Sequence, residues 1–135
     1  MALLEWTPAL DVGVSDFNQQ HQKLVALINN LHQAMAQGKG SQVIGGVLKE
    51  MGQYTVYHFQ AEERLMTAKN YPGLAAHRAE HEAFVAKVGD LTSRYEQGTL
   101  AISVETLNFL KDWLVHHIQG TDKQYGEFFA QAGVR

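Results

Sequence analysis

Four long stretches of this 135-residue chain repeat apolar residues at steps of three and four, and the chain contains only two prolines. A repeat with this period places the apolar side chains along one face of an α-helix. The pattern predicts helices over about 17–37, 41–69, 72–97 and 103–120. Short connections between helices favour antiparallel neighbours, so the predicted fold is an all-α, up-down-up-down four-helix bundle.

The two ends of the chain differ from these stretches. Residues 1–16 contain Pro8 and Gly13 and have no sustained period, which predicts an extended N-terminal arm. Residues 122–131 are amphipathic and predict a short C-terminal helix. Ser41 is a suitable N-cap for the second helix. The whole chain, 1–135, is therefore expected to form one domain.

Composition excludes several classes of protein. Hydrophobic residues make up 45% of the chain, charged residues 19%, the net charge is -3 and there is no cysteine. These values are typical of a globular domain without disulfides, thiolate metal sites or a basic nucleic-acid surface. No apolar run reaches the roughly 20 residues of a membrane-spanning helix, and the N-terminus does not resemble a secretory signal. We expect a cytoplasmic monomer that does not bind nucleic acid or insert into a membrane.

Five of the seven histidines fall on the predicted apolar stripes, together with one carboxylate. A single buried histidine is usually an ordinary hydrogen-bonded core residue. A buried carboxylate without a partner is costly, however, and every predicted helix brings at least one of these polar groups to the interior. One shared metal centre would satisfy all of them. The candidate ligands on the stripes are His21, His58, Glu62, His77, His81 and His117.

The spacing of these residues strengthens the metal interpretation. His77 and His81 are four residues apart, as are His58 and Glu62. Residues at i and i+4 differ by about 40° around a helix, so both members of a pair can reach one centre. One such pair is a weak signal, but two pairs with single ligands on the other helices are far more specific.

Asp122 is a different case, because periodicity does not decide its role. It follows His117 by five residues, which is about 140° away in a regular helix. Aspartate is a favoured N-cap, so Asp122 is equally suited to begin the C-terminal helix. A relaxed helix end at Gly120, or a π-bulge with one extra residue, would instead turn Asp122 inward. Both alternatives remain open at this point.

Four motifs together resemble one known family. They are Gln20-His21-x-x-Leu24, His58-Phe59-x-x-Glu62-Glu63-x-x-Met66, His77-x-x-x-His81 and Trp113-Leu114-x-x-His117-Ile118-x-x-x-Asp122. The arrangement is similar to the hemerythrins, most closely to the bacterial single-domain form, and the similarity extends over essentially the whole chain. The segment 16–21 departs from the usual family pattern, in which an aspartate lies close before the Gln-His pair, so no outer partner of His21 is predicted.

The resemblance implies a centre of two iron ions bridged by an oxo or hydroxo group and two carboxylates. His77, His81 and His117 would ligate one iron, and His21 and His58 the other. Glu62 and Asp122 would bridge the two irons. If both metals are six-coordinate, the three-histidine metal is complete and the metal on His21 and His58 has one open position. Imidazole and carboxylate ligands also suit manganese or zinc, so the choice of iron rests on the resemblance.

The neighbours of the ligands favour reversible dioxygen binding over oxidation chemistry. The residues predicted to line a dry dioxygen pocket, although each is also suited to plain core packing, are Leu24, Phe59, Trp113, Leu114 and Ile118. They include no general acid, and the chain lacks the Glu-x-x-His motif of substrate-oxidising di-iron bundles. We expect a bacterial oxygen carrier, storage or delivery protein rather than an enzyme. The alternatives are a stand-alone oxygen or redox sensor, or a di-iron enzyme acting on peroxide, nitric oxide or iron.

Overall fold

A computed structural model describes residues 4–98 and 104–134, apart from the side chains of residues 40–42, 104 and 105. These residues form helices and connecting turns without a strand, which confirms the all-α bundle. The four long helices are α1 (Ser15–Ala36), α2 (Gly40–Ala68), α3 (Leu74–Glu96) and α4 (Val104–His116), and a short α5 spans Lys123–Gln131. Helix α1 packs against α2 and α4, and α2 packs against α3.

The helix ends differ from the predicted bounds by a few residues, as is usual. Helix α3 begins at Leu74 rather than at residue 72, because Pro72 and Gly73 belong to the turn after α2. Asn70 opens that turn with a left-handed φ of 57°. The side chain of the predicted cap Ser41 is not described, and the predicted start of the fourth helix at Ser103 lies outside the described residues.

The N-terminal arm lies against the bundle and contributes to its core. It includes a single 3-10 turn, Pro8–Leu10, and buries the side chains of Leu10, Val12 and Val14. The arm passes so close to α5 that a Cβ on Gly126 would lie 2.3 Å from the Val12 carbonyl oxygen. The absence of a side chain at Gly126 therefore allows the arm to pack there.

The bundle interior is apolar except in one region. Within the described ranges, the buried polar and charged residues are Thr55 and the seven predicted metal ligands. No helix in those ranges combines the length and the apolar character needed to cross a lipid bilayer. The polar interior of the bundle is therefore concentrated where the sequence predicted the metal ligands.

Candidate metal centre

A π-helical turn explains the position of Asp122. Helix α4 continues without a break into a π-helical segment, His117–Asp122, in which the Lys123 N–H donates to the Ile118 carbonyl five residues back. A π-helix closes one turn in slightly under five residues, so Asp122 lies beneath His117 rather than on another face. Asp122 is fully buried and its side chain makes no capping hydrogen bond to α5. Of the two alternatives, the structure has the inward-turned one.

The seven predicted ligands come together in two overlapping groups. One group contains His77, His81 and His117, the other contains His21 and His58, and both groups include Glu62 and Asp122. Each residue can offer one nitrogen or oxygen such that all the offered atoms of a group lie within 4.8 Å of one another. Two carboxylates are therefore shared between two groups of histidines, where the resemblance would place two cations.

The two carboxylates direct one oxygen towards each histidine group. Asp122 Oδ1 lies 2.9 Å from His77 Nε2 and 3.0 Å from His117 Nε2, while Oδ2 lies 3.0 Å from His21 Nε2. Glu62 repeats this arrangement: Oε1 lies 3.2 Å from His81 Nε2 and Oε2 lies 3.3 Å from His58 Nε2. Such a division of oxygens is the one required of a carboxylate that bridges two cations.

The buried polar atoms of these residues fit a pair of cations. Although these nitrogen and oxygen atoms lie close enough for ion pairs, none of the five Nε2 atoms has a well-aligned hydrogen-bond partner among the described residues, and three of the four carboxylate oxygens also lack one. The fourth oxygen, Glu62 Oε2, accepts a hydrogen bond from the Tyr125 hydroxyl. Unpaired buried polar groups are rare because each costs free energy. Two divalent cations with nitrogen and oxygen ligands would satisfy these atoms together.

The two buried carboxylates favour the protonated form of two of the histidines. Burial opposes the charged form of His21 and of His77, but Asp122 and Glu62 outweigh it and raise the pKa of each to about 9. Burial likewise opposes ionisation of the two carboxylates, yet the surrounding imidazoles hold the pKa of Glu62 and of Asp122 below its usual range. Protons and metal ions therefore compete for this cluster.

The raised histidine pKa values predict how the stability of the metal-free protein depends on pH. Their contribution is complete below the ordinary histidine pKa of 6.5 and is lost as the pH rises towards about 9. The free energy of unfolding, measured by denaturant titration in the presence of a chelator, is expected to fall across this window. Asp122→Asn is the comparison variant and is expected to show a weaker fall. A wild-type value that stayed constant from pH 6.5 to 9 would contradict the pairing.

Three further residues, which were not predicted from the sequence, contact the outer nitrogens of three of the histidines. His81 Nδ1 lies 2.9 Å from Glu63 Oε2, His117 Nδ1 lies 3.1 Å from Glu80 Oε1, and His58 Nδ1 lies 2.5 Å from Gln20 Oε1. Each of the three partners is adjacent in sequence to a ligand. An adjacent residue points about 100° away, towards a neighbouring helix, and this spacing is a signal that could have identified them.

Aromatic rings cover the three-histidine group. The Phe59 ring stacks on His81 with 3.6 Å between centroids, and Trp113 stacks on His117 at 4.4 Å. These two predicted pocket residues thus lie against the three-histidine group, although the open metal position is expected on the His21 and His58 side. Phe59 also approaches His58, at 5.8 Å. The other three predicted pocket residues are buried in the core: Leu24, Leu114 and Ile118.

Known proteins resemble this chain over most of its length. A sequence model of the hemerythrin HHE cation binding domain matches residues 12–129. The chain belongs to the hemerythrin family. The bacteriohemerythrin of Methylococcus capsulatus is 40% identical over 129 residues, which cover 93% of this chain and 96% of that protein. The bacteriohemerythrin of Stenotrophomonas maltophilia is 38% identical, over 94% of this chain and 82% of that protein.

Solved structures of hemerythrin share the fold. A wild-type hemerythrin is 37% identical and superposes with a TM-score of 0.86, covering 93% of this chain and 97% of that one. A leucine-to-alanine variant of hemerythrin gives a TM-score of 0.87 at the same identity, covering 94% of this chain and 97% of that one. The predicted resemblance is therefore confirmed. Family and fold support a non-haem iron, oxygen-binding role for this chain.

Proposed function

We propose that this protein binds dioxygen reversibly at a di-iron centre and serves as an oxygen carrier, store or delivery protein. The observation that carries the proposal is the sharing of Glu62 and Asp122 between two buried histidine groups. We further propose that it acts as a monomer in the bacterial cytoplasm, without a nucleic-acid partner or insertion into a membrane. The bacterial relatives named above support the bacterial part of that proposal.

The proposed ligand assignment follows the two groups. His77, His81 and His117 would hold one iron, with Oε1 of Glu62 and Oδ1 of Asp122. His21 and His58 would hold the other, with the remaining carboxylate oxygens. Two iron(II) ions would supply the electrons for reversible dioxygen binding. Because this second group has one histidine fewer, ligand counting leaves the open position on its side.

The chain's own residues would keep the centre oriented and dry. The Tyr125 hydroxyl donates to Glu62 Oε2 and so restricts rotation of that carboxylate. Outer partners hold three of the imidazoles through Nδ1, which leaves Nε2 facing the centre. The buried side chains of Leu24, Leu114 and Ile118 would exclude water and offer no proton donor, and this environment favours release of dioxygen over its activation.

The direct test is a reversible oxygenation experiment. The metal-free protein is loaded with iron(II) under anaerobic conditions, exposed to dioxygen and then degassed while its optical spectrum is recorded. We expect two irons per chain and a spectrum that returns to that of the reduced protein. A single bound zinc, or dioxygen consumption that degassing does not reverse, would overturn the proposal. Irreversible consumption with product release would instead indicate an enzyme.

A polar substitution beside the open position is expected to shorten the life of the oxygenated protein. Leu24 is buried one helical turn after His21 on α1. Leu24→Asn would bring an amide and water towards the centre, so we expect faster oxidation of the irons in air, measured as decay of the oxygenated absorption band. Leu31→Asn is the matched control, since Leu31 is equally buried on α1 but lies about 15 Å from His21 along the helix axis. Equal decay rates in both variants would contradict a protective role for Leu24.

A further inference from the structure

We infer that the two metal positions fill in a fixed order, with the three-histidine position first, because Glu63 and Glu80 strengthen the ligands of that position alone. The inference rests on the proposed two-metal centre and adds to it two positioning residues and a one-metal intermediate. The outer Nδ1 atoms of the five histidines have unequal partners.

The partner of His81 is an anion that is itself held in place. His81 Nδ1 donates to Glu63 Oε2 at 2.9 Å, and the other oxygen of Glu63 accepts from Arg78 Nε, also at 2.9 Å. Glu63 is 20% exposed, so this pair is partly shielded from water. The ion pair with Arg78 fixes the position of this carboxylate against His81.

His117 has a similar anionic partner on α3. Its Nδ1 donates to Glu80 Oε1 at 3.1 Å, and the Thr121 hydroxyl is within 2.9 Å and 3.0 Å of the two oxygens of Glu80. Thr121 belongs to the π-helical segment between His117 and Asp122, so Glu80 also ties that segment to α3. A carboxylate at Nδ1 makes Nε2 a more basic ligand and fixes the tautomer that leaves Nε2 free for a metal.

Among the described residues, no anion contacts the outer nitrogens of the two-histidine group. His58 Nδ1 donates to the neutral amide oxygen of Gln20, and His21 Nδ1 has no hydrogen-bond partner among the described residues. His77 Nδ1 lacks one as well, but its group still has three imidazoles, two of them paired with carboxylates. The three-histidine position therefore has more imidazole ligands than the two-histidine position, and those ligands are more basic. Outer partners of this kind change metal affinity by roughly 10- to 100-fold.

The order of filling is tested by titrating the metal-free protein with cobalt(II) and following heat and visible absorption. The wild type is expected to bind in two resolved steps. Glu63→Gln and Glu80→Gln are each expected to weaken the first step by about 10-fold or more and to change the second step less. Glu82→Gln is the matched control, being exposed on α3, and is expected to change neither step. Unresolved steps in the wild type, or equal weakening of both steps, would overturn the inference.

Two further measurements locate the first cobalt. In the wild type, one equivalent of cobalt(II) is expected to shift the ring proton resonances of His77, His81 and His117 strongly, and those of His21 and His58 much less. His21→Ala is expected to retain the strong first step, whereas His81→Ala is expected to lose it. Shifts centred on His21 and His58 would refute the order even if every variant misfolded.

Failure of this inference differs from failure of the proposed function. A protein that binds two cobalt ions in order, but whose iron form does not release dioxygen, would retain the order and lose the carrier function. A protein that releases dioxygen but fills both positions together would retain the carrier function and contradict the filling order.

Discussion

Replacing Glu62 with alanine is expected to remove most of the iron from the purified protein. Glu62 is fully buried and offers one oxygen to each histidine group, so in the proposed centre its loss would remove a ligand from both metals. It also removes the acceptor of the Tyr125 hydroxyl, which would then be buried without a partner. The measurement is iron content per chain after anaerobic loading and removal of unbound metal.

The control for this variant is Glu50→Ala. Glu50 lies on the same helix, α2, and loses the same chemical group, but its side chain is 61% exposed and pairs only loosely with Lys23, at 3.9 Å. Its iron content is expected to equal that of the wild type. A Glu62→Ala protein that retained two irons per chain would disprove the bridging role of Glu62, whatever its dioxygen affinity.

The second large effect is a loss of stability, which is expected when Gly126 is replaced. Gly126 is not a proposed metal ligand, but it lies against the N-terminal arm. A methyl group there would meet the Val12 carbonyl oxygen at 2.3 Å, and because this contact is with backbone, the arm or α5 must move. Overpacking of this kind costs about 1–3 kcal/mol and occasionally more. We therefore expect Gly126→Ala to lower the free energy of unfolding by about 1–3 kcal/mol in a denaturant titration.

Gly46→Ala provides the opposite control. Gly46 is exposed on α2, and a Cβ there would meet nothing within 4 Å. Alanine is favoured over glycine in a helix by up to about 1 kcal/mol, so this variant is expected to be slightly more stable than the wild type. If Gly126→Ala unfolded at the same denaturant concentration as Gly46→Ala, that result would contradict the close packing of the arm against Gly126 on α5.

Periodicity was sufficient to predict the bundle and to place six of the seven proposed ligands on its inner faces. A buried helix face recurs every 3.6 residues, so His21, His58 and their counterparts could be assigned from spacing alone. Asp122 could not, because a π-helical turn adds one residue to the repeat and leaves no clear mark in the sequence. Its inward position required the backbone of residues 117–122.

The outer partners of the histidines depended on information that no single helix contains. Glu80 precedes His81 in sequence but contacts His117, 37 residues away on the segment that follows α4. Gln20 precedes His21 but contacts His58 on α2. Packing across the whole bundle determines which helices are neighbours and how they are offset along their axes. The arm's contact with Gly126 is another case, since it depends on two distant segments that lack a shared pattern.

The extra residue of the π-helical turn also sets the rotational phase of everything that follows it. In an uninterrupted α-helix, each added residue rotates the next side chain by about 100°, so the phase of α5 relative to α4 depends on this one insertion. The phase that turns Asp122 inward is the same one that buries Tyr125, Gly126 and Phe129. Deleting one residue from the turn would redirect a ligand, the hydroxyl that holds Glu62 and the surface that receives the arm. A single local irregularity thus makes the chemistry of the centre and the attachment of both chain ends depend on each other.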